Sequence, residues 1–368
     1  MEMGKSIRSA VVLLPLALVV LAPAAASAGT MSDYGTYDAA PGEVNNIVVT
    51  ADGTYVTITD SAGVIAAPES QNPGSGDCQP VVGNSIKCTR PYYNIDLGDM
   101  NDSFSYGGGA FPVSSNFPQQ FVVSGGAGSD TISGSPYSDD LDGGSTSSLD
   151  PNGNDTVLGN DGHDLIRDGD GTSNTLDGGA GDDRVEGIGT APESLNGGPG
   201  NDVVIGGAGP DIASGGDGDD DVSGGDGADT VLGDAGNDSV EGNPGQDIAD
   251  GGPGRDNVND TFHGGCGGPD TLIGGPGPDS FYVACGIPTL KMRDGTADTG
   301  ECLKAVTTAT KDFDKIDKAH GGACQTFSKV CKKKKKGKKA SVAKKKKCKR
   351  KPYKPPDAQP FSLAARLL

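Results

Sequence analysis

The chain of 368 residues has no tryptophan, and phenylalanine and tyrosine together supply only 5% of it. That is a poor recipe for a conventional globular core. Histidine is nearly absent as well: His163, His263 and His320 are scattered, and no H-E-x-x-H pair exists. This excludes a zincin-type protease site. No C-x-x-C, no G-x-S-x-G and no G-x-x-x-x-G-K-[ST] occurs, so a zinc ribbon, a thioredoxin-like centre, a nucleophile elbow and a P-loop are unsupported. Basic residues are few outside one short run. The chain carries 30 Lys and Arg against 50 Asp and Glu, for a net charge of −20.

What is present is glycine, 61 residues of it, in phase with aspartate. From Gly197 to Asn259 the chain reads GGPGNDVVI, GGAGPDIAS, GGDGDDDVS, GGDGADTVL, GDAGNDSVE, GNPGQDIAD, GGPGRDNVN, seven nonapeptides without insertion. Each has Gly at positions one and four and Asp at position six, with an aliphatic residue at seven or eight. A repeat this strict decides the architecture before any other feature. A glycine-rich acidic linker has no reason to hold aspartate in register with an aliphatic residue.

The glycines mark a tight turn that needs backbone geometry closed to most residues. The last three positions, as in Thr230-Val231-Leu232, suit a short strand with its middle residue inward. Two units then close one coil of 18 residues, and coils stack at roughly the strand spacing of about 4.8 Å. The sixth positions fall into two columns: Asp202, Asp220, Asp238 and Asp256 on one side, Asp211, Asp229 and Asp247 on the other. Residues 197–259 hold fourteen acids and one base, Arg255. One small aliphatic residue per unit is little burial to offset such repulsion. Hard oxygen donors, high negative charge and regular spacing select calcium, which takes 6–8 oxygens, over magnesium, which keeps its waters. With no Cys or His in these units, zinc and copper are poor fits.

These units resemble the hemolysin-type (RTX) calcium-binding repeats, with the pattern G-G-x-G-x-D-x-U-x. The resemblance implies an all-β fold, a right-handed parallel β-roll or β-helix solenoid that is disordered without calcium and folds after export. It implies Ca2+ between consecutive turns, held by Asp202, Asp211, Asp220, Asp229, Asp238, Asp247 and Asp256. Same-side neighbours 202/220, 220/238, 238/256, 211/229 and 229/247 make at least five sites. Less regular units extend the set to Asp130, Asp155, Asp164, Asp183, Asp270 and Asp279, and 97–104 is a degenerate unit. Units starting at Gly233 and Gly242 lack the second glycine. Units 206–214 and 242–250 put Ile at position seven and Ala at eight, which predicts shifted packing. Segments 106–124, 134–151, 168–177 and 187–196 break the phase and read as loops outside the solenoid. In 187–196 the turn aspartate is missing, so no ion is expected there. Asp150–Asp155 has the look of an EF-hand start but lacks its glycine and helices, and reads as a repeat variant. His163, at position five of a unit, and His263, in an insertion, read as solvent-facing turn residues.

The organisation follows. Lys5 and Arg8 precede the apolar run Val11–Ala22 and Ala26-Ser27-Ala28, a secretory signal over 1–28. Residues 29–92 form a small β segment or N-terminal cap, with a hairpin of Asn46–Thr50 and Thr54–Thr59 around Asp52-Gly53. The roll spans 93–302, its apolar end around Phe281, Tyr282 and Val283 acting as a cap. Residues 303–328 are a Cys-containing linker that could form a short helix. Eight cysteines in an exported chain suggest disulfides; Cys78–Cys88 and Cys266–Cys285 are favoured, leaving Cys302–Cys324 and Cys331–Cys348 by elimination.

Residues 329–368 form a Lys-rich tail read as disordered. From Lys329 to Lys354 there are sixteen Lys and Arg and no acid. Such a run is solvated charge, a contact with the acidic roll, or a hold on an anionic surface polymer or lipid through Lys332–Lys354. No specific nucleic acid or small-molecule substrate is indicated. The functional reading is a non-enzymatic, secreted or surface-associated calcium-binding roll. Two alternatives stand beside it: an adhesin or matrix protein that binds through its tail or N-terminal segment, and a secreted hydrolase with an unfamiliar site in 29–124.

Overall fold

The computed structural model describes residues 29–320 apart from 33–34, 64, 67–77, 82–83, 90–91, 112–119, 145–152, 170, 261–269, 284–288, 293–298, 303–310 and 314–317. The signal segment, the Lys-rich tail, His263 and three of the four cysteine pairings lie outside the described residues. Every regular element among those described is a strand, and the strands form two 15-stranded sheets.

From Tyr92 onward the chain alternates between the sheets. Each turn sends it from one sheet to the other, so the next strand in the same sheet arrives one coil later and runs parallel. Val203–Ile205, Asp221–Ser223, Ser239–Glu241 and Asn257–Asp260 pair in this way, with Val204, Val222, Val240 and Val258 in register. The opposite sheet repeats the rule with Ile212–Asp217, Thr230–Ala235 and Ile248–Asp250. Position eight is the inward one: Val204, Val222, Val231, Val240 and Val258 are fully buried. Parallel strands with this single inward residue make a narrow core.

The ends of the core are wider. Tyr93, Phe104 and Phe121 are buried in the first coils, with Phe104 and Phe121 edge to face at 5.3 Å between centroids. Phe281 is buried near the other end, two strands short of the sheet's edge at Lys318–His320. The few aromatics are thus spent where coils face something other than an identical neighbour.

The N-terminal strands mix antiparallel and parallel pairs and cover the first coil: Thr36–Asp38 runs parallel to Tyr92–Asp96. Asn46–Ala51 and Val56–Asp60 form the hairpin, with Ile47 opposite Asp60. Val56–Asp60 continues to Ser85–Cys88, which pairs with Cys78–Pro80, and a Cys78–Cys88 disulfide joins these last two strands. Asn46–Ala51 also pairs parallel with Ser103–Tyr106, which ties this segment to the roll.

Four expectations need correction. Residues 134–142 are not an outside loop: Asp140–Gly144 is a strand within the sheet, and Leu141 is buried in the core. The strands Gln120–Gly126, Thr175–Ala180 and Ser194–Pro199 likewise bring 120–124, 175–177 and 194–196 into the coils. The Ile-Ala units do not shift either. Ala213 and Ala249 fill the inward slot at 1% and 0% exposure, while Ile212 and Ile248 stay outside at 53% and 44%. Hydrogen bonds to both neighbouring strands fix the register, and slipping by one residue would turn every side chain over. Finally, the described parts of 303–328 are strands, Lys311–Phe313 and Lys318–His320, rather than helix.

Candidate metal sites along the roll edges

Each turn delivers its sixth residue to the edge of the roll just before a strand begins. At position four, Gly218 has φ 149°, and a Cβ there would collide with the Gly200 carbonyl oxygen one coil earlier. The turns therefore nest at backbone distance, which only glycine permits. At position two, Asn160, Asp234 and Asn243 adopt φ of 79°, 63° and 68° where other units have glycine. Asn and Asp are the side chains that tolerate this region, so the missing second glycines leave the turn unchanged.

All thirteen aspartates expected from the sequence stand in two columns, and the two-sided arrangement is as expected. On one edge the amide N–H of Asp164 donates to Asp183 Oδ1, Asp183 to Asp202, Asp202 to Asp220, Asp220 to Asp238, Asp238 to Asp256 and Asp256 to Asp279, over 2.7–3.0 Å. On the other edge Asp102 donates to Asp130 and Asp130 to Asp155. The same edge continues with Asp211 to Asp229, Asp229 to Asp247 and Asp247 to Asp270.

One oxygen of each carboxylate is used in this way. The other is buried and unserved: Oδ2 of Asp164, Asp183, Asp202, Asp211, Asp220, Asp229, Asp238, Asp247 and Asp256 has no hydrogen-bond partner. In the central units it lies against the first glycine of its own turn. A Cβ on Gly197 would come within 2.5 Å of both Asp202 Oδ2 and the Gly215 carbonyl oxygen.

Burial is the chief reason these groups resist ionisation, and the neighbouring aspartates add to it. Asp202, Asp211 and Asp238 are pushed up to about 6, Asp247 and Asp256 to about 7, and Asp164 to about 8. Asp183, Asp220 and Asp229 are raised by the same cause. Buried carboxylates of like charge, each with a free oxygen, call for a counter-charge. The donors are hard oxygens, which suits a divalent cation of the calcium type. Among the described residues no three His, Cys, Asp or Glu side chains converge on one point. An ion here would rest on two carboxylates from adjacent coils and on turn carbonyls.

Sequence reasoning overlooked four column members. Asp139 donates its N–H to Asp164 Oδ1 at 2.7 Å, and Asp102 begins the other edge. The signal for Asp139 was present: Gly134, Asp139 and Leu141 keep positions one, six and eight, hidden by a turn without further glycine. Asn174 and Glu193 hold the position in ten-residue turns, where a fixed nine-residue frame misses them.

A second ladder also went unread. On the edge of Asp202, exposed position-five side chains accept the next coil's amide: Asp182 N–H donates to His163 Nδ1, Asn201 to Asp182, Asp219 to Asn201, Asn237 to Asp219 and Arg255 to Asn237. The opposite edge has such bonds in its first coils, Ser129 N–H donating to Asn101 Oδ1, Asn154 to Ser129 Oγ and Ser173 to Asn154 Oδ1, but has Pro210, Ala228 and Gln246 in the later units.

Parallel strands joined by nested glycine turns with buried aspartates define a solenoid of nonapeptide repeats. Residues 123–283 belong to the RTX calcium-binding nonapeptide repeat family: the family model, described as four copies, matches 123–146, 152–185, 196–231, 223–258 and 265–283. Repeats of this family bind calcium. No curated protein matches the chain.

Proposed function

We propose that this chain is a secreted, non-enzymatic calcium-binding roll with a structural role outside the cell, possessing several ion sites on each edge. The observation that carries this reading is the column of buried aspartates: in Asp164, Asp183, Asp202, Asp211, Asp220, Asp229, Asp238, Asp247 and Asp256 one carboxylate oxygen holds the adjacent coil and the other has no hydrogen-bond partner. Calcium bound there would remove the repulsion that opposes stacking, so binding and folding become one equilibrium. Asp202, Asp220, Asp238 and Asp256 on one side, and Asp211, Asp229 and Asp247 on the other, account for at least five ions. Export is supported by the basic-apolar-small pattern of residues 1–28, and it suits sites of modest affinity. The Lys332–Lys354 run supports tethering to an anionic polymer or lipid at the cell surface.

Circular dichroism of the chain from residue 29 onward, titrated with calcium and separately with magnesium, tests the reading. A calcium-specific rise of β signal is expected. A β spectrum unchanged in excess chelator would sink it.

A further inference from the structure

Residues 186–195 fall between two stretches of the family match. The structure keeps the coil there nonetheless: Ser194–Pro199 pairs parallel with Thr175–Ala180 before it and Ile212–Asp217 after it. Within the aspartate column, the place is taken by Glu193. Its amide N–H donates to Asp211 Oδ1 at 2.9 Å, as the Asp211 N–H does to Asp229. The turn has one residue more than a nonapeptide, and the side chain one methylene more than aspartate.

Glu193 is 3% exposed, and apart from the Asn174 side-chain amide nothing hydrogen-bonds its carboxylate. Asp211 is 1% exposed and its Oδ2 is without a hydrogen-bond partner. Glu193 Oε2 lies where a Cβ on Gly187 would collide with it, and the Gly206 carbonyl oxygen is 2.6 Å from that same point. No described Lys or Arg forms an ion pair with either acid. On the other side of Glu193 the column holds Asn174, an uncharged amide, so only the interval toward Asp211 has two carboxylates. Two desolvated acids, one with its Oδ2 unpartnered and the other met only by a neutral amide, are costly unless a positive charge joins them.

We propose that Glu193 and Asp211 form an additional divalent-cation site, taking calcium, built outside the nonapeptide signature. It rests on the calcium-roll reading above and reverses the expectation that this turn binds nothing. The site lets the acidic run that resumes after Asn174 on this edge start one coil before Asp211.

The test is the number of calcium ions bound per chain, by equilibrium dialysis of the chain from residue 29 onward, for wild type, Glu193→Gln and Glu193→Asp. Glu193→Gln should bind one ion fewer at saturation with the β spectrum intact, and Glu193→Asp should weaken that ion rather than a neighbour's. An unchanged count in Glu193→Gln overturns the site. If Glu193→Gln does not fold in calcium, amide exchange of the wild-type chain decides. Protection at Glu193 should rise with calcium, and protection that stays flat while Asp229 and Asp247 become protected overturns it. A wild-type chain that binds no calcium removes the roll reading itself, whereas an unchanged mutant count removes this site alone.

Discussion

The Asp202 amide donates a 2.8 Å hydrogen bond to Asp220 Oδ1, joining two residues one coil apart through a buried carboxylate. The bond makes each acid a structural acceptor for the coil before it. The same side chain, through its second oxygen, remains available to a cation. Structure and metal affinity thus reside in one group, and substitutions can separate them.

Asp220→Asn keeps an oxygen acceptor for Asp202 but removes the charge. Calcium affinity at the 202/220 and 220/238 intervals should fall about tenfold or more, while the metal-free chain gains a few tenths of a kcal/mol from lost repulsion. Asp219→Asn, at the exposed position next to it, should leave the ion count unchanged. Isothermal titration of the two variants checks the contrast.

Acidity should replace calcium in part. The folded-state values of Asp202, Asp238, Asp247 and Asp256 are raised to between about 6 and about 7, so folding binds protons. Their contribution is then present in full below the unfolded value near 4 and is lost as pH rises through about 6 to 7. In chelator, β signal should grow as pH falls from 8 to 5. With calcium present, apparent affinity should drop over the same range because protons compete. A pH-independent metal-free spectrum contradicts this.

Val231 lies between Ala213 and Ala249 in its sheet and is fully buried. Val231→Ala would place three alanines in a row and should cost about 1.5–3 kcal/mol in calcium-loaded stability. Ile212→Thr, on the exposed face, should stay within about 0.5 kcal/mol. Denaturant unfolding at fixed calcium measures both.

Gly218→Ala should be more damaging than its size suggests, because the added methyl meets the Gly200 carbonyl and the turn cannot nest. A loss of about 1–3 kcal/mol is expected. Asn243→Gly, at a position already in the left-handed region, keeps the turn and gives up the side chain's hydrogen bond to Ser223 Oγ, so the loss should stay at or below about 1 kcal/mol. Thermal melts in calcium compare them.

The perfect units were legible because each repeats one local rule: glycine for the turn, aspartate at its end, one aliphatic residue inward. Asp202 through Asp256 could be placed on their edges from spacing alone. Asn174 and Glu193 could not, since their turns are one residue longer and the strand ladder absorbs the difference; Asp139 kept the spacing but lacked the second and third glycines that mark a unit. The Ile-Ala units misled for a related reason. Local hydrophobicity favours burying Ile212, but its amide N–H donates to the Glu193 carbonyl and the strand is held in register opposite Ser194 and Thr230 in the neighbouring coils.

By itself the sequence determined the period, the parallel two-sheet roll and the two acidic edges, because those follow from the nine-residue spacing of glycine, aspartate and aliphatic residues. Only the tertiary structure decided which irregular turns stay in the stack, which oxygen of each aspartate holds the preceding coil, and that Glu193 completes a column. Those outcomes depend on contacts between coils about 18 residues apart, where a neighbour's main chain sets the position and the local sequence does not.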